Sequence, residues 1–360
     1  MKKKRLLTIS KYGLKCQLFL IRNFSVLSEI LINSEMKTRD YEFKWQIHDV
    51  GNSIKKIIME SKSNFQTIPQ KNYFYLIISE ENKFILTIGY IKSRFLKSRI
   101  GSFFKEFFPD ITATFLSQSE IKDLLSIYLK REVYRIELEV LIYRKAREKK
   151  KPRKNPIERA IDYIVEDVNS KILELENEKK YIDTIGLFLF NSSNNENFRF
   201  QYNRYNRLIW YYGNFKNLIE LLDKIYSIVI QKFNLLDNRE RRSTRNHVSR
   251  PIVLKLNSTI FSDKERTNNF RDKIENFPKC NYALLHSGNP FLHIILRDQI
   301  DNSTYSIKNL SNRDLMICPQ IIGSNSSMFR ILDLISERIS EFEIVDYDQY
   351  RKEFHDTNKL

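Results

Sequence analysis

The chain has 360 residues and a formal charge of +17, with 42% apolar and 13% aromatic residues. That apolar share excludes a disordered chain, and the length allows two or three domains with at least one sizeable core. Charged residues make up 29%, so the imbalance is one of sign, and it favours phosphate backbones, anionic membranes or acidic partners.

Total charge overstates the case. Eight Gly, eight Pro and a crowd of Lys, Asn, Ile, Phe and Tyr are the profile of an A/T-biased genome, which inflates Lys. Local clusters weigh more, because codon bias does not cluster. Cys16, Cys280 and Cys318 are odd in number and far apart. They offer no disulfide framework and no zinc-ligand spacing, which fits a reducing interior.

Met1-Lys2-Lys3-Lys4-Arg5-Leu6-Leu7 resembles a signal-peptide n-region, but Ser10-Lys11-Tyr12-Gly13 follows and no h-region forms. The apolar stretch from Leu14 to Ile32 is broken by Lys15, Arg22, Asn23 and Glu29, short of the roughly 20 apolar residues that a membrane span needs. The expectation is a cytoplasmic protein with no membrane partner and no cofactor.

Two apolar runs, 73–79 and 84–90, flank the polar turn Glu80-Glu81-Asn82-Lys83 and predict a hairpin. A helix carrying Phe95, Ile100, Phe103, Phe104, Phe107 and Phe108 follows and ends at Pro109-Asp110. Residues 121–129 predict a helix, and 133–143 a strand rich in alternating β-formers. A charged helix is expected from about Pro156 to Lys180, with one apolar stripe from Ile157 to Leu175. Strands are expected at 182–190, 198–202 and 207–212, then a helix through Leu218 and Val229. The last third predicts a strand at 252–256, a helix near 260–276, strands at 281–286, 291–297, 303–307 and 314–318, and a closing helix from Ser326 or Ser327 through Ile339.

This is an α+β fold of two or three domains, with antiparallel strands each followed by an amphipathic helix. The expected units are 1–143, 157–237 and 251–360, joined by basic linkers at 144–156 and 238–250. Strand-then-helix recurs three times, but no residue-level repeat accompanies it.

The first linker is the densest charge feature. Residues 144–154 hold eight cations and one carboxylate, a local charge of +7. Such a run must be solvated or neutralised by a polyanion. Lys149, Lys150, Lys151, Arg153 and Lys154 are its candidate phosphate contacts. The second linker has five Arg between 239 and 250, among them the candidates Arg241, Arg242 and Arg245. Arg fits phosphate bidentately.

Between the linkers, 198–212 interleaves aromatics with Arg199, Arg204 and Arg207. Phe198, Phe200 and Tyr202 share one strand face, and Arg199, Gln201 and Asn203 the other. Exposed, such aromatics would stack bases beside phosphate-binding Arg. Turned inward, they are an ordinary core stripe with a solvated Arg face.

Three weaker constellations complete the reading. His286 and His293 flank Gly288-Asn289-Pro290, so a hairpin would set them opposite each other, to share a metal or supply a general base. Asp298 lies about 16 Å further along that strand and belongs with Asp301 in a turn. Glu137 and Glu139 would share a strand face as metal-binding carboxylates do, but Lys145 is too far for nuclease spacing. Gly323-Ser324-Asn325-Ser326-Ser327 precedes the last helix, where Ser326 or Ser327 serves as N-cap, and no P-loop exists.

No catalytic motif has its residues at the required spacing. The expectation is non-enzymatic nucleic-acid binding through the basic clusters and the Arg and aromatic strands, in a complex with other protein subunits. The alternatives are a scaffold subunit with an acidic partner and a metal-dependent nuclease.

Overall fold

The computed structural model describes residues 13–64, 68–129, 134–145, 168–178, 180–191, 197–237, 241–242, 250–288, 291–320 and 322–357. The apolar stretch at its start divides at Arg22-Asn23. Strand β1 (Leu14–Ile21) precedes the break and helix α1 (Phe24–Ile32) follows it. Asn23 caps the helix by accepting from Ser25 N at 3.1 Å. All eight residues of β1 are buried, which fits a strand covered on both faces.

A meander follows: β2 (Glu35–Lys37), β3 (Tyr41–Gly51), β4 (Ile54–Ser63), β5 (Gln70–Ile78) and β6 (Phe84–Gly89). The predicted hairpin is β5–β6, paired antiparallel. The predicted Phe-rich helix is α2, built from Ser93–Phe95, a π-turn at Leu96–Ile100, and Gly101–Lys105. Its Phe103 packs edge-on against Phe43 and Trp45, and Phe104 lies 4.6 Å from Phe19 of β1. These rings centre one core between the meander, α1 and α2.

The chain continues through β7 (Ile111–Ala113), α3 (Gln118–Leu129), β8 (Tyr134–Lys145), α4 (Val168–Asn177), β9 (Lys180–Asn191), β10 (Asn197–Asn203), β11 (Arg207–Tyr212) and α5 (Phe215–Asp237). The long charged helix is thus seen over Val168–Asn177, and 156–167 lies outside the described residues.

β1 sits in mid-sheet, between β6 and β11. The order β2-β3-β4-β5-β6-β1-β11-β10-β9-β8, with β7 also on β1, makes one antiparallel sheet of 11 strands. The expected boundary at 144–156 falls between β8 and β9, which pair with each other. One sheet therefore draws strands from both 1–143 and 157–237.

Next come β12 (Arg241–Arg242), β13 (Ile252–Leu256), α6 (Lys264–Glu275), β14 (Cys280–Ser287), β15 (Leu292–Asp298), β16 (Thr304–Asn309), β17 (Asp314–Pro319), β18 (Ile322–Gly323), α7 (Asn325–Arg338), β19 (Phe342–Asp346) and α8 (Tyr347–Thr357). Six of these strands form a second antiparallel sheet, β14-β15-β16-β17-β13-β19, while β12 pairs with β18. The α+β expectation holds. The second hydrophobic core lies against the opposite face of the large sheet, under α3, α4 and α5, and runs on into the small sheet with α6 and α7. Among the described residues, no helix is long and apolar enough to cross a membrane.

Candidate polyanion site at one end of the large sheet

The aromatic stripe of β10 points inward. Phe198, Phe200 and Tyr202 are fully buried, and Tyr128 of α3 packs 5.9 Å from Phe198 and 5.8 Å from Phe200. These rings present no face on which a base could stack. The core-facing alternative for this strand is the one the fold adopts.

The opposite face of β10 carries Arg199, Gln201 and Asn203. Arg199 is largely buried, and its guanidinium lies 5.2 Å from the ring centre of Tyr211. Tyr211 in turn donates to Gln201 Oε1 at 3.0 Å.

Strand register extends this face into a polar row. Ile142 of β8 stands opposite Thr184 of β9, Thr184 opposite Asn203 of β10, and Asn203 opposite Arg207 of β11. Arg207 stands opposite Gln17 of β1, and Gln17 opposite Thr87 of β6. Directly opposed residues share a face of the sheet. Asn203 Nδ2 donates to Thr184 Oγ1 at 2.8 Å and to Asp183 O at 2.9 Å. The Arg207 guanidinium lies 5.8 Å from the ring centre of Tyr205. Burial lowers its pKa from the ordinary arginine value, against the pull of Tyr205 and Asp183.

Arg204 goes elsewhere. It occupies the β10–β11 turn and is 1% exposed. Its Nη2 donates to Asp333 Oδ1 and to Ser336 Oγ of α7, both at 2.9 Å. Its guanidinium also stands 5.2 Å from the Phe115 ring centre. Expected as a nucleic-acid contact, Arg204 instead joins the large sheet to α7. Lys232 of α5 is buried in the same way, donating to Glu120 Oε2 at 2.6 Å and to Phe115 O at 2.9 Å.

Lys149, Lys150, Lys151, Arg153, Lys154 and Arg245 lie outside the described residues. The described residues that flank their segments are placed. β8 ends at Lys145, opposite Lys180, three residues past the polar row. Arg241 and Arg242 pair along the backbone with Gly323 and Ile322, just before α7, the helix that holds Arg204.

The weaker constellations resolve as follows. His286 and His293 do stand opposite each other across the β14–β15 hairpin. His293 Nε2 is 2.8 Å from Ser306 Oγ, a neutral partner that fixes the ring. Asp298 is buried, receiving Arg330 Nε at 2.9 Å, Ser327 Oγ at 2.8 Å and, in the expected turn, Ile300 N at 2.9 Å. Pairing slips between Leu138 and Val140, a bulge at Glu139. The side chain of Glu139 lies outside the described residues. The N-cap of α7 is Ser324, not Ser326 or Ser327, and it accepts from Ser327 N at 3.1 Å. Ser327 instead holds Asp298, and Ser326 donates to Pro109 O. Among the described residues, no three His, Cys, Asp or Glu side chains group closely enough to hold a metal ion.

Sequence reasoning missed Lys15 and Gln17, reading Lys15 only as a break in an apolar stretch. Their signal was alternation: both fall on one face of an otherwise apolar strand. No protein-family model matches the chain, and no curated protein is detectably similar to it.

Proposed function

We propose that the protein binds nucleic acid without chemistry, through cationic segments gathered at one end of the large sheet. One observation carries this reading. Arg207 and Lys145, the last residue of β8, lie at the same sheet end, three strand spacings apart across the sheet and three residues along it, or about 17 Å in all. That is close enough for one strand of nucleic acid to touch both. The second basic segment starts from β12, which pairs with β18 just before α7, while the β10–β11 turn meets α7 at Asp333 and Ser336, about 12–17 Å further along the helix.

The contacts in this reading are Lys149, Lys150, Lys151, Arg153, Lys154, Arg207, Arg241, Arg242 and Arg245. Arg204 is removed from the set by its ion pair, and Arg199 sits too deep to lead. The buried aromatics withdraw stacking from the mechanism, so phosphate contact supplies the affinity. Binding of this kind is weakly sequence-selective and strongly salt-dependent.

The test is direct titration of single-stranded and duplex DNA and RNA at several salt concentrations. The reading predicts binding whose log affinity falls linearly with log salt. No binding at low salt, together with a stable complex with an acidic protein, would replace it with the scaffold reading.

A further inference from the structure

Stacking, withdrawn with the β10 aromatics, meets exposed rings on another part of the large sheet. Register defines the surface. Gln46 of β3 stands opposite Ile58 of β4, and Ile58 opposite Tyr73 of β5. In the next row His48 stands opposite Lys56, Lys56 opposite Tyr75, and Tyr75 opposite Ile88 of β6. Directly opposed residues share a face, and so do residues two apart along a strand. The other face of these strands carries Phe43, Trp45, Met59, Phe74 and Leu76, all buried in the core under α1 and α2. β5 thus sorts its aromatics: Phe74 turns inward, and Tyr73 and Tyr75 outward.

The outward face is open. Tyr73 is 53% exposed, and Gln46 and His48 are exposed beside it. Among the described residues, α5 reaches this side of the sheet at β6, where Tyr226 and Phe233 pack edge-on against Phe84. At the end of β6, a Cβ on Gly89 would come within 3.1 Å of Phe74 Cβ and 3.3 Å of Tyr73 O. That close approach brings the next residue, Tyr90, beside Tyr73, and Tyr90 is 68% exposed.

The charge on this face is complementary to phosphate. From β3 to β6, the two rows that hold Tyr73 and Tyr75 contain Lys56 and His48 and no carboxylate. Lys56 Nζ lies 5.2 Å from the Tyr73 ring centre. One row further out, Glu60 stands between Lys44 and Lys71. Beyond it, Glu42 stands opposite Lys62 and is held by Lys37 at 2.9 Å.

We infer that this face of β3–β6 binds single-stranded nucleic acid, with bases stacked on Tyr73, Tyr75 and Tyr90 and a phosphate at Lys56. Exposed rings interleaved with cations on an antiparallel sheet suit a strand whose bases are free to splay. A duplex keeps its base faces in its own stack, and an acidic peptide would engage Lys56 but offer the tyrosines no flat π-surface. The assignment rests on the nucleic-acid reading and adds a second surface to it. β5 and β8 are six strand spacings apart, or about 29 Å, so the tyrosines and the basic segments are separate contacts.

The probes are a labelled single-stranded oligonucleotide and its duplex, titrated by anisotropy at several salt concentrations. Tyr73→Thr and Tyr90→Thr keep β-propensity at exposed positions, so both fold with the wild-type Tm. Each weakens single-strand binding at least about fivefold, with the salt slope and the duplex affinity unchanged. Lys56→Gln lowers the single-strand slope by about 0.7. If wild type binds and the folded double variant Tyr73→Thr/Tyr90→Thr binds single strand equally well, the inference is overturned while the cationic reading stands. An equal loss on single strand and duplex also overturns it, since stacking discriminates the two. Wild type binding neither form overturns both.

Discussion

Arg204 and Asp333 meet at 2.9 Å where the β10–β11 turn touches α7, and the arginine is 1% exposed. The pair heads a chain of polar contacts. Ser336, which receives Arg204, donates to Glu341 Oε1 at 2.6 Å, and Glu341 Oε2 receives Gln118 N at 3.0 Å. Gln118 Oε1 then receives Ile182 N of β9 at 2.8 Å. The large sheet, α3, α7 and the turn after α7 are thereby tied through buried polar groups.

Arg204→Met therefore acts on stability. Breaking a buried pair costs 3–5 kcal/mol, and Asp333 keeps some solvent contact, so the loss should be about 3 kcal/mol. Thermal or urea unfolding measures it. Nucleic-acid affinity per folded molecule should match wild type, because Arg204 offers no donor at the surface.

Phe200→Ala separates core from stacking. Its ring is fully buried against Tyr128 and Phe198, so truncation should cost about 3–5 kcal/mol. Fluorescence titration of the folded fraction should give an unchanged Kd. A loss of affinity with intact stability would mean that the ring contacts bases.

The contrast between Arg204 and Arg207 shows where sequence reading reaches its end. Both sit in one aromatic and basic stretch, and the strand limits at Arg207–Tyr212 and Ile252–Leu256 were legible from local pattern. The turn between β10 and β11, with Asn206 in the left-handed region at φ 52°, sends Arg204 to α7 and returns Arg207 to the sheet face. Alternation alone could not assign those fates, because Asp333 is 129 residues away. β1 was illegible for a similar reason. Its partners β6 and β11 come from distant segments, and a strand buried on both faces loses the alternation that marks a half-exposed one. The cap of α7 was misplaced by two or three residues because Ser324, Ser326 and Ser327 are equal in sequence, and tertiary contacts to Pro109 and Asp298 distinguish them.

His293 gives the fold an acid sensitivity. Burial, then Lys308 and His286, hold its pKa below the ordinary histidine value of 6.5. The unfolded chain thus takes up this proton first as pH falls, and stability drops from 6.5 downward until the folded ring also protonates. His293→Gln should flatten unfolding free energy against pH across that window. An unchanged slope would place the acid sensitivity elsewhere.

The polyanion reading is tested most directly by reversing charge at the two basic segments. Lys149, Lys150, Lys151, Arg153, Lys154, Arg241 and Arg242 are each changed to Glu, and binding to a duplex is measured from low to moderate salt. The account predicts that affinity collapses and that the log–log slope shrinks by about 0.9 for each phosphate contact removed. Wild-type affinity with an unaltered slope would contradict it.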